Sequence, residues 1–394
     1  CTSSAAQAFE DLVSHIKAKY ILLSYNNMAT KGNDRSNAKI SDADIMRILS
    51  RKGRVKVFSE SYRAFSAGKS NITGNEERLF LCECYDYKQK ELIQSPLNYT
   101  GGKYKLLPQI LPHFPQDIDR FVDLFCGGGN VGINVPCNRV IFNDNNELLR
   151  YMFGTFKNLD KQVTFETIDA IIEKYGLSNT EKYGYDFYGC NSAEGLAAYN
   201  SSRYLKLRDD FNHHTNLEYN YYVTLYVLIV YAFNNQIRFN RKGEFNLPVG
   251  KRDFNKKMRE KLSTFIDRLK SGDYSFASHD FRELPTDDWN ESTFVYADPP
   301  YLITCATYNE QDGWNETLEK ELLTYLDNLN ERGIRFALSN VLHSKGKENK
   351  ILLDWIDRNV DRYRVIYLDY NYANSNYQTK DKTSKAEEVL IVNY

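Results

Sequence analysis

One segment, Phe294-Val295-Tyr296-Ala297-Asp298-Pro299-Pro300-Tyr301, constrains the fold more than any other. Its apolar start reads as a strand. The two prolines end that strand, because neither can donate to a sheet ladder and both fix φ. An acid, a main-chain carbonyl and an aromatic ring are thereby held rigidly at the carboxyl end of a strand. Upstream, the apolar run beginning at Phe121 feeds Cys126-Gly127-Gly128-Gly129-Asn130-Val131-Gly132, a glycine-rich turn opening a helix. Such a turn lets a ligand approach the backbone closely. One strand later, Val140-Ile141-Phe142-Asn143-Asp144 ends in an acid, the place where doubly wound α/β folds accept hydrogen bonds from ribose hydroxyls. Asp144 is also placed to cap a helix starting near Asn146, and the two roles are compatible. The order of these motifs predicts an α/β fold with its chemistry at strand ends.

The chain has 394 residues, 42% of them apolar and 26% charged, which allows two domains and excludes a disordered tail. Lys+Arg 51 against Asp+Glu 52 gives a net charge of −1, which argues against a uniformly basic coat but not against a local basic stripe. The apolar run Tyr221–Phe233 is interrupted by Thr224 and ends at Asn234-Asn235, too short for a membrane span, so no membrane partner is expected. Residue 1 is Cys and no signal pattern follows, which reads as a partial or processed chain. Seven cysteines without framework spacing point to a reduced compartment, the cytoplasm. Cys82 and Cys84 share a strand face and lack a second pair at zinc spacing; His213-His214 lies in a polar loop. No metal is expected.

The chain also repeats part of itself. Tyr20–Tyr25 (YILLSY) resembles Arg335–Asn340 (RFALSN), each after a segment with helical character. Ser41-Asp42-Ala43-Asp44 then opens a helix with Ile45, Ile48 and Leu49 on one face, followed by Val55–Phe58. The counterparts are Ile351–Ile356 and Tyr363–Leu368. Ser61–Phe65, a polar stretch and Glu76-Glu77 before a last strand answer to Asp369–Ala373, a polar stretch and Glu387-Glu388. Residues from about 8 to 85 therefore read as a second copy of residues from about 315 to 394. The polar segment 86–95, ending near Pro96, is a linker in this reading, with a new domain beginning after it.

The amine nitrogen of adenine is a poor nucleophile because its lone pair is delocalised into the ring. Two acceptors, the Asp298 carboxylate and the Pro299 carbonyl, suit its two hydrogens and would localise that pair, while Tyr301 offers a stacking face. Beside a sulfonium methyl donor, the remaining work is alignment for in-line transfer.

At these residues the chain resembles the Dam-type (D12 class) family of DNA adenine-N6 methyltransferases, which has the order glycine loop, target-recognition region, DPPY. The likeness runs from Pro96 to Tyr394. It implies a Rossmann-like S-adenosylmethionine-dependent methyltransferase fold with an inserted helical target-recognition subdomain at about 155–275. Asn98-Tyr99-Thr100-Gly101-Gly102-Lys103 matches the family's aromatic-x-Gly-Gly-Lys element, so Tyr99 and Lys103 inherit places at the methyl-donor site, with Asp123, Phe125, Gly127, Gly129 and the ribose-binding acid Asp144. Asp298 is the inherited catalytic carboxylate, with Pro299, Pro300 and Tyr301. Ser278-His279-Asp280-Phe281 is similar to the segment meeting the donor's adenine, which adds Asp280 and Phe281.

Residues 231–250 are similar to the family's DNA hairpin, RxNxxGxFNxPxG preceded by an Asn, so Asn234, Arg238, Asn240, Arg241, Lys242 and Asn246 are the implied DNA contacts. Local charge agrees: residues 238–261 hold nine Lys/Arg against three Asp/Glu, a net of +6. Such a stripe neutralises phosphates and makes binding salt-dependent. The lysines of 253–261 also suit a solvated helix face.

FCGGGNVG departs mildly from the family's usual glycine loop. The N-terminal copy departs more, and resembles the arrangement of tandem type IIS modification enzymes. Residues 1–85 then read as the end of an upstream methyltransferase half whose own glycine loop and DPPY are missing. The implied activity is N6-adenine methylation of specific duplex DNA within a bacterial restriction-modification system, a cognate endonuclease acting on the same site. The alternatives are N4-cytosine methylation, disfavoured because Asp rather than Ser opens the PPY motif, an RNA substrate, and a DNA-binding module without turnover.

Overall fold

The structure, a computed structural model of the chain, describes residues 5–16, 18–26, 40–61, 76–84, 92–99, 101–215, 220–304, 313–369 and 386–394. The strands in chain order are β1 (Tyr20–Asn26), β2 (Gly53–Ser61), β3 (Glu76–Cys84), β4 (Arg120–Asp123), β5 (Arg139–Asn143), β6 (Asp273–Ala277), β7 (Thr293–Ala297), β8 (Arg335–Ser344), β9 (Lys347–Glu348), β10 (Arg364–Leu368) and β11 (Glu387–Val392). The chain divides into two compact units. One holds residues 92–105 and 116–337; the other holds 1–91, 106–115 and 338–394.

The first unit carries the two motif strands side by side. β7, β4, β5 and β6 pair in that order and all in parallel, with Phe121 of β4 level with Val140 of β5 and Phe294 of β7. This register places the glycine turn after β4, Asp144 after β5 and Asp298 after β7 at one end of the sheet. The central strands β4 and β7 are buried without alternation, and Phe121, Val122, Phe142, Phe294, Val295 and Tyr296 are all buried. That is the pattern of a parallel sheet covered on both faces. The mixed α/β architecture with a central parallel sheet is as the sequence motifs led us to expect.

Between β5 and β6 the chain is helical. Glu147–Asn158, Lys161–Tyr175, Ala197–Asn212, Tyr221–Tyr231 and Lys256–Ser271 are the main helices. Four of them start at a side-chain cap, Asn146, Asp160, Asn220 and Asn255, each accepting from an amide of the first turn. Tyr221–Tyr231 is buried continuously from Val223 onward, which accounts for its all-round apolar sequence. Among the described residues, no helix is long and apolar enough to cross a membrane.

In the second unit, the helix Ala5–His15, β1, the helix Asp42–Ser50, β2 and β3 form an antiparallel sheet of order β1-β3-β2. Val13, Ile45, Ile48, Leu49, Phe80 and Cys82 make its core. Burial pushes the Cys82 thiol up to about 12, and its Sγ contacts the Leu49 carbonyl at 3.4 Å, so this cysteine behaves as a small core residue. The later part of the chain follows the same order: the helix Glu316–Glu331, β8, the helix Lys350–Arg358, β10 and β11, with β11 between β10 and β8. In both copies the last strand opens on paired glutamates and takes the middle place. The polar stretches of both copies, and residues 86–91 of the linker segment, lie outside the described residues.

Candidate active site

One side of the site is built on the ends of β4 and β5. Gly127 and Gly129 have φ of +47° and +74°, conformations in which a side chain is strained. A Cβ on Gly127 would also sit 2.7 Å from the Tyr99 ring, which lies across the turn. The Asp144 carboxylate accepts from the Gly127 amide at 2.9 Å and the Asn146 amide at 3.0 Å, so it fixes the turn. Asp144 is not the helix cap that its position allowed; Asn146 takes that role by accepting from Leu148 N–H at 3.1 Å. Asp123 accepts from the Gly132 amide at 3.0 Å through Oδ2, while its other oxygen is buried without a hydrogen-bond partner. Burial pushes this carboxyl up to about 8 against the pull of the Gly132 amide, and the Asp298 and Asp144 carboxylates push in the same direction as burial.

The DPPY turn meets the Gly-Gly-Lys segment directly. Lys103 Nζ lies 2.9 Å from Asp298 Oδ1, and the Tyr301 hydroxyl donates to the same oxygen at 3.1 Å. Lys103 also donates to the Gly101 carbonyl at 2.8 Å and stands 4.8 Å from the centre of the Tyr301 ring. Lys103 is almost wholly buried, with 4% of its side chain exposed, so its charge acts on Asp298 in a site with little water. Pro299 and Pro300 continue from the buried strand end as the sequence led us to expect.

Phe125 and Phe281 pack at 5.6 Å between ring centres, and Trp314 closes the group edge-on to Phe125 at 5.7 Å. Asp280 is bound by Arg282 at 2.8 Å, and this hydrogen bond holds its carboxyl below the usual range. Asn143 was not singled out in the sequence. Its amide donates to the carbonyls of Leu124 and His279, both at 3.0 Å, and its carbonyl accepts from His279 N–H at 3.0 Å. It ties the Phe281 segment to the end of β4. Its place just before Asp144 was the available signal; Trp314 had none, being remote from every motif.

The six residues expected at DNA lie on one segment and divide into two kinds. Arg241 and Lys242 are exposed at a turn completed by Gly243 with φ +77°. Asn234 is exposed at a kink where it and Asn235 both have positive φ, 55° and 53°, and its carbonyl accepts from Asn98 at 2.7 Å. Asn240 is spent inside the turn, accepting from the amides of Lys242 at 2.9 Å and Glu244 at 3.0 Å. Arg238 is exposed but held by Asn246 at 2.8 Å. Phe239 and Phe245 bridge the two arms, and Asn212, unnoticed in the sequence, bonds both the amide and the carbonyl of Phe245 at 2.7 and 3.0 Å. Arg259, counted in the basic stripe, is engaged by Asp169 at 2.6 Å and Glu181 at 2.8 Å.

A family model described as D12 class N6 adenine-specific DNA methyltransferase matches residues 99–380. The chain is 38% identical to the modification methylase StsI of Streptococcus sanguinis over 99% of its own length and 58% of that protein. It is 34% identical to the type II methyltransferase M.FokI of Planomicrobium okeanokoites over 98% of its length and 58% of that protein. The DNA adenine methylase of Escherichia coli K12 matches at 29% identity, over 62% of this chain and 79% of that one. The chain thus spans little more than half the length of the first two relatives.

Proposed function

Because the chain belongs to the D12 class N6 adenine-specific DNA methyltransferase family, we propose that it transfers a methyl group from S-adenosylmethionine to the N6 amine of adenine in duplex DNA, as the modification enzyme of a restriction-modification system. The observation that carries this reading is the convergence of Lys103 and Tyr301 on one oxygen of Asp298 at the end of β7, beside the glycine turn.

The residues present fit a nucleoside methyl donor. Gly127 has no room for a side chain under Tyr99, the Asp144 carboxylate stands where ribose hydroxyls are bound in such folds, and Phe125, Phe281 and Trp314 supply an aromatic wall. The unpartnered Asp123 oxygen leaves a hydrogen-bonding group open in the same region, a donor while the carboxyl holds its proton. When bound, the donor supplies an electrophilic methyl group on a sulfonium. The chain's own residues do the rest. Asp298 and the Pro299 carbonyl accept the two amine hydrogens, which draws the nitrogen lone pair out of conjugation and aims it. Lys103 and Tyr301 hold Asp298 in place, and the Tyr301 ring stacks the base once it has left the duplex. Asp298 is also positioned to receive the proton that the amine sheds after transfer.

In this reading the helical region between β5 and β6 is the target-recognition insertion, with the 234–246 segment facing DNA. Residues 1–85 are the remnant of an upstream methyltransferase half, a view favoured by the matching strand order of the two copies. Asp rather than Ser at the head of the PPY motif favours adenine over cytosine. Asp298→Ala should lower transfer by at least about 10²–10³-fold, as loss of a transition-state hydrogen-bond partner does. DNA affinity measured by fluorescence anisotropy should stay close to the parent value, and parallel loss of both would contradict the roles assigned here.

A further inference from the structure

The residues 179–203 carry a surface that the methyl-transfer reading does not use. Tyr183 and Phe187 stack at 4.7 Å and 22°, and both are open to solvent, Tyr183 at 46% and Phe187 at 64%. Exposed aromatic rings usually lie scattered; here they are held as a rigid ledge. Tyr188 meets both rings edge-on, and its hydroxyl accepts from the Asn179 amide at 2.7 Å. The short helix Thr180–Tyr183 is pinned from below, because buried Asp253 accepts from the Thr180 amide at 2.6 Å and its hydroxyl at 2.8 Å. Gly184 and Gly189, with φ of +72° and +65°, turn the chain on either side of Phe187.

Cations border this ledge. Leu196 N–H bonds the Lys251 carbonyl at 3.0 Å, and a Cβ on Gly195 would meet Lys251, so the loop adjoins Lys251 and Arg252 along the backbone. Arg252 is near enough to Tyr185 to act on its hydroxyl. Lys257 and Lys261 follow one helical turn apart on Lys256–Ser271; burial first, then the like charges of Lys257 and Arg252, hold Lys261 below its ordinary value. Among the described residues, no acid pairs with Arg252, Lys257 or Lys261, whereas their neighbour Arg259 is fully engaged. Three cations clustered without an acid of this chain among the described residues are poised for an external anion.

We propose that Tyr183 and Phe187 together with Arg252, Lys257 and Lys261 form a second DNA-contact surface, which grips the sugar-phosphate backbone of the duplex away from the bases faced by the 234–246 segment. Phosphates neutralise the three cations, and the ring ledge packs against the adjoining deoxyribose. Continuity with the basic hairpin segment through Lys251 selects DNA as the occupant, and the surface adds affinity without sequence preference. The inference rests on DNA being the substrate but not on which base is methylated.

Anisotropy titrations with a fluorescein-labelled mixed-sequence duplex test it at several salt concentrations, with melting curves to confirm that each variant stays folded. The triple variant Arg252→Gln, Lys257→Gln, Lys261→Gln should lower the slope of log affinity against log salt by about 2 to 3, close to one per cation removed. Phe187→Ala should weaken binding about three- to tenfold with the slope unchanged. An unchanged slope in the triple variant overturns the proposal. So does self-association, seen by sedimentation, that Phe187→Ala abolishes while DNA affinity stays constant, since the ledge would then be a contact between copies. Failure of the methylation reading shows up separately, as folded wild type that binds this duplex yet leaves no methyl label on it.

Discussion

Asp123 and Gly127 shape the glycine-rich turn after β4, and each has a consequence that can be measured. Asp123 holds its proton in the folded protein up to about pH 8, because burial penalises the charged form. An unfolded chain releases that proton near about pH 4. Between these values folding takes up a proton, so this group's contribution to stability falls as pH rises through the window, and the loss is complete above pH 8. Asp123→Asn should flatten that part of the stability profile, read as urea midpoints between about pH 5 and 8; an identical slope in both proteins would refute the buried, protonated carboxyl. Gly127→Ala should weaken binding of S-adenosylhomocysteine by tenfold or more, since the new methyl meets both an unfavourable φ and the Tyr99 ring. Calorimetry checks it, and unchanged affinity would remove Tyr99 and the turn from the donor site. The need for glycine here was legible in the sequence. The division of labour between Asp144 and Asn146 was not, since either residue suits a cap and only the backbone path decides.

At the scale of elements, the 234–246 segment shows what spacing can and cannot convey. Its turn, basic tip and Asn-Arg-Asn pattern were visible, yet a sequence does not distinguish an asparagine that projects from one that closes its own turn, and Asn240 is of the second kind. The basic stripe was likewise overcounted, because Arg259 answers to acids on two distant segments. Asn212 was silent in the sequence because its role exists only once a helix lies beside the hairpin. Asn212→Ala should cost about 1–3 kcal/mol through two unmet backbone groups of Phe245. It should weaken DNA binding and spare S-adenosylhomocysteine affinity. Melting and the two titrations decide this, and equal weakening of both ligands would mean that the hairpin is not an independent element.

At the scale of the whole molecule, the near-neutral total of −1 is an average over the basic segment 238–261 and a remainder that balances it. The parallel sheet was legible because strand-end motifs fix which ends of β4, β5 and β7 must coincide. The repeat was legible from matched runs, and both copies place their last strand in the middle of a sheet. They differ in exposure. β11 is buried through consecutive residues, whereas β3 alternates, its core face filled and Leu79 left 37% exposed. Sequence alone could not show this difference, since each copy has apolar residues enough for burial on both faces. The central claim concerns chemistry, and one measurement meets it most directly. The wild-type chain is incubated with labelled S-adenosylmethionine and unmethylated DNA of mixed sequence, and the DNA is digested to nucleosides. Label confined to N6-methyladenosine in the deoxy series is the predicted result, and label in N4-methylcytosine, or none despite DNA binding, would contradict it.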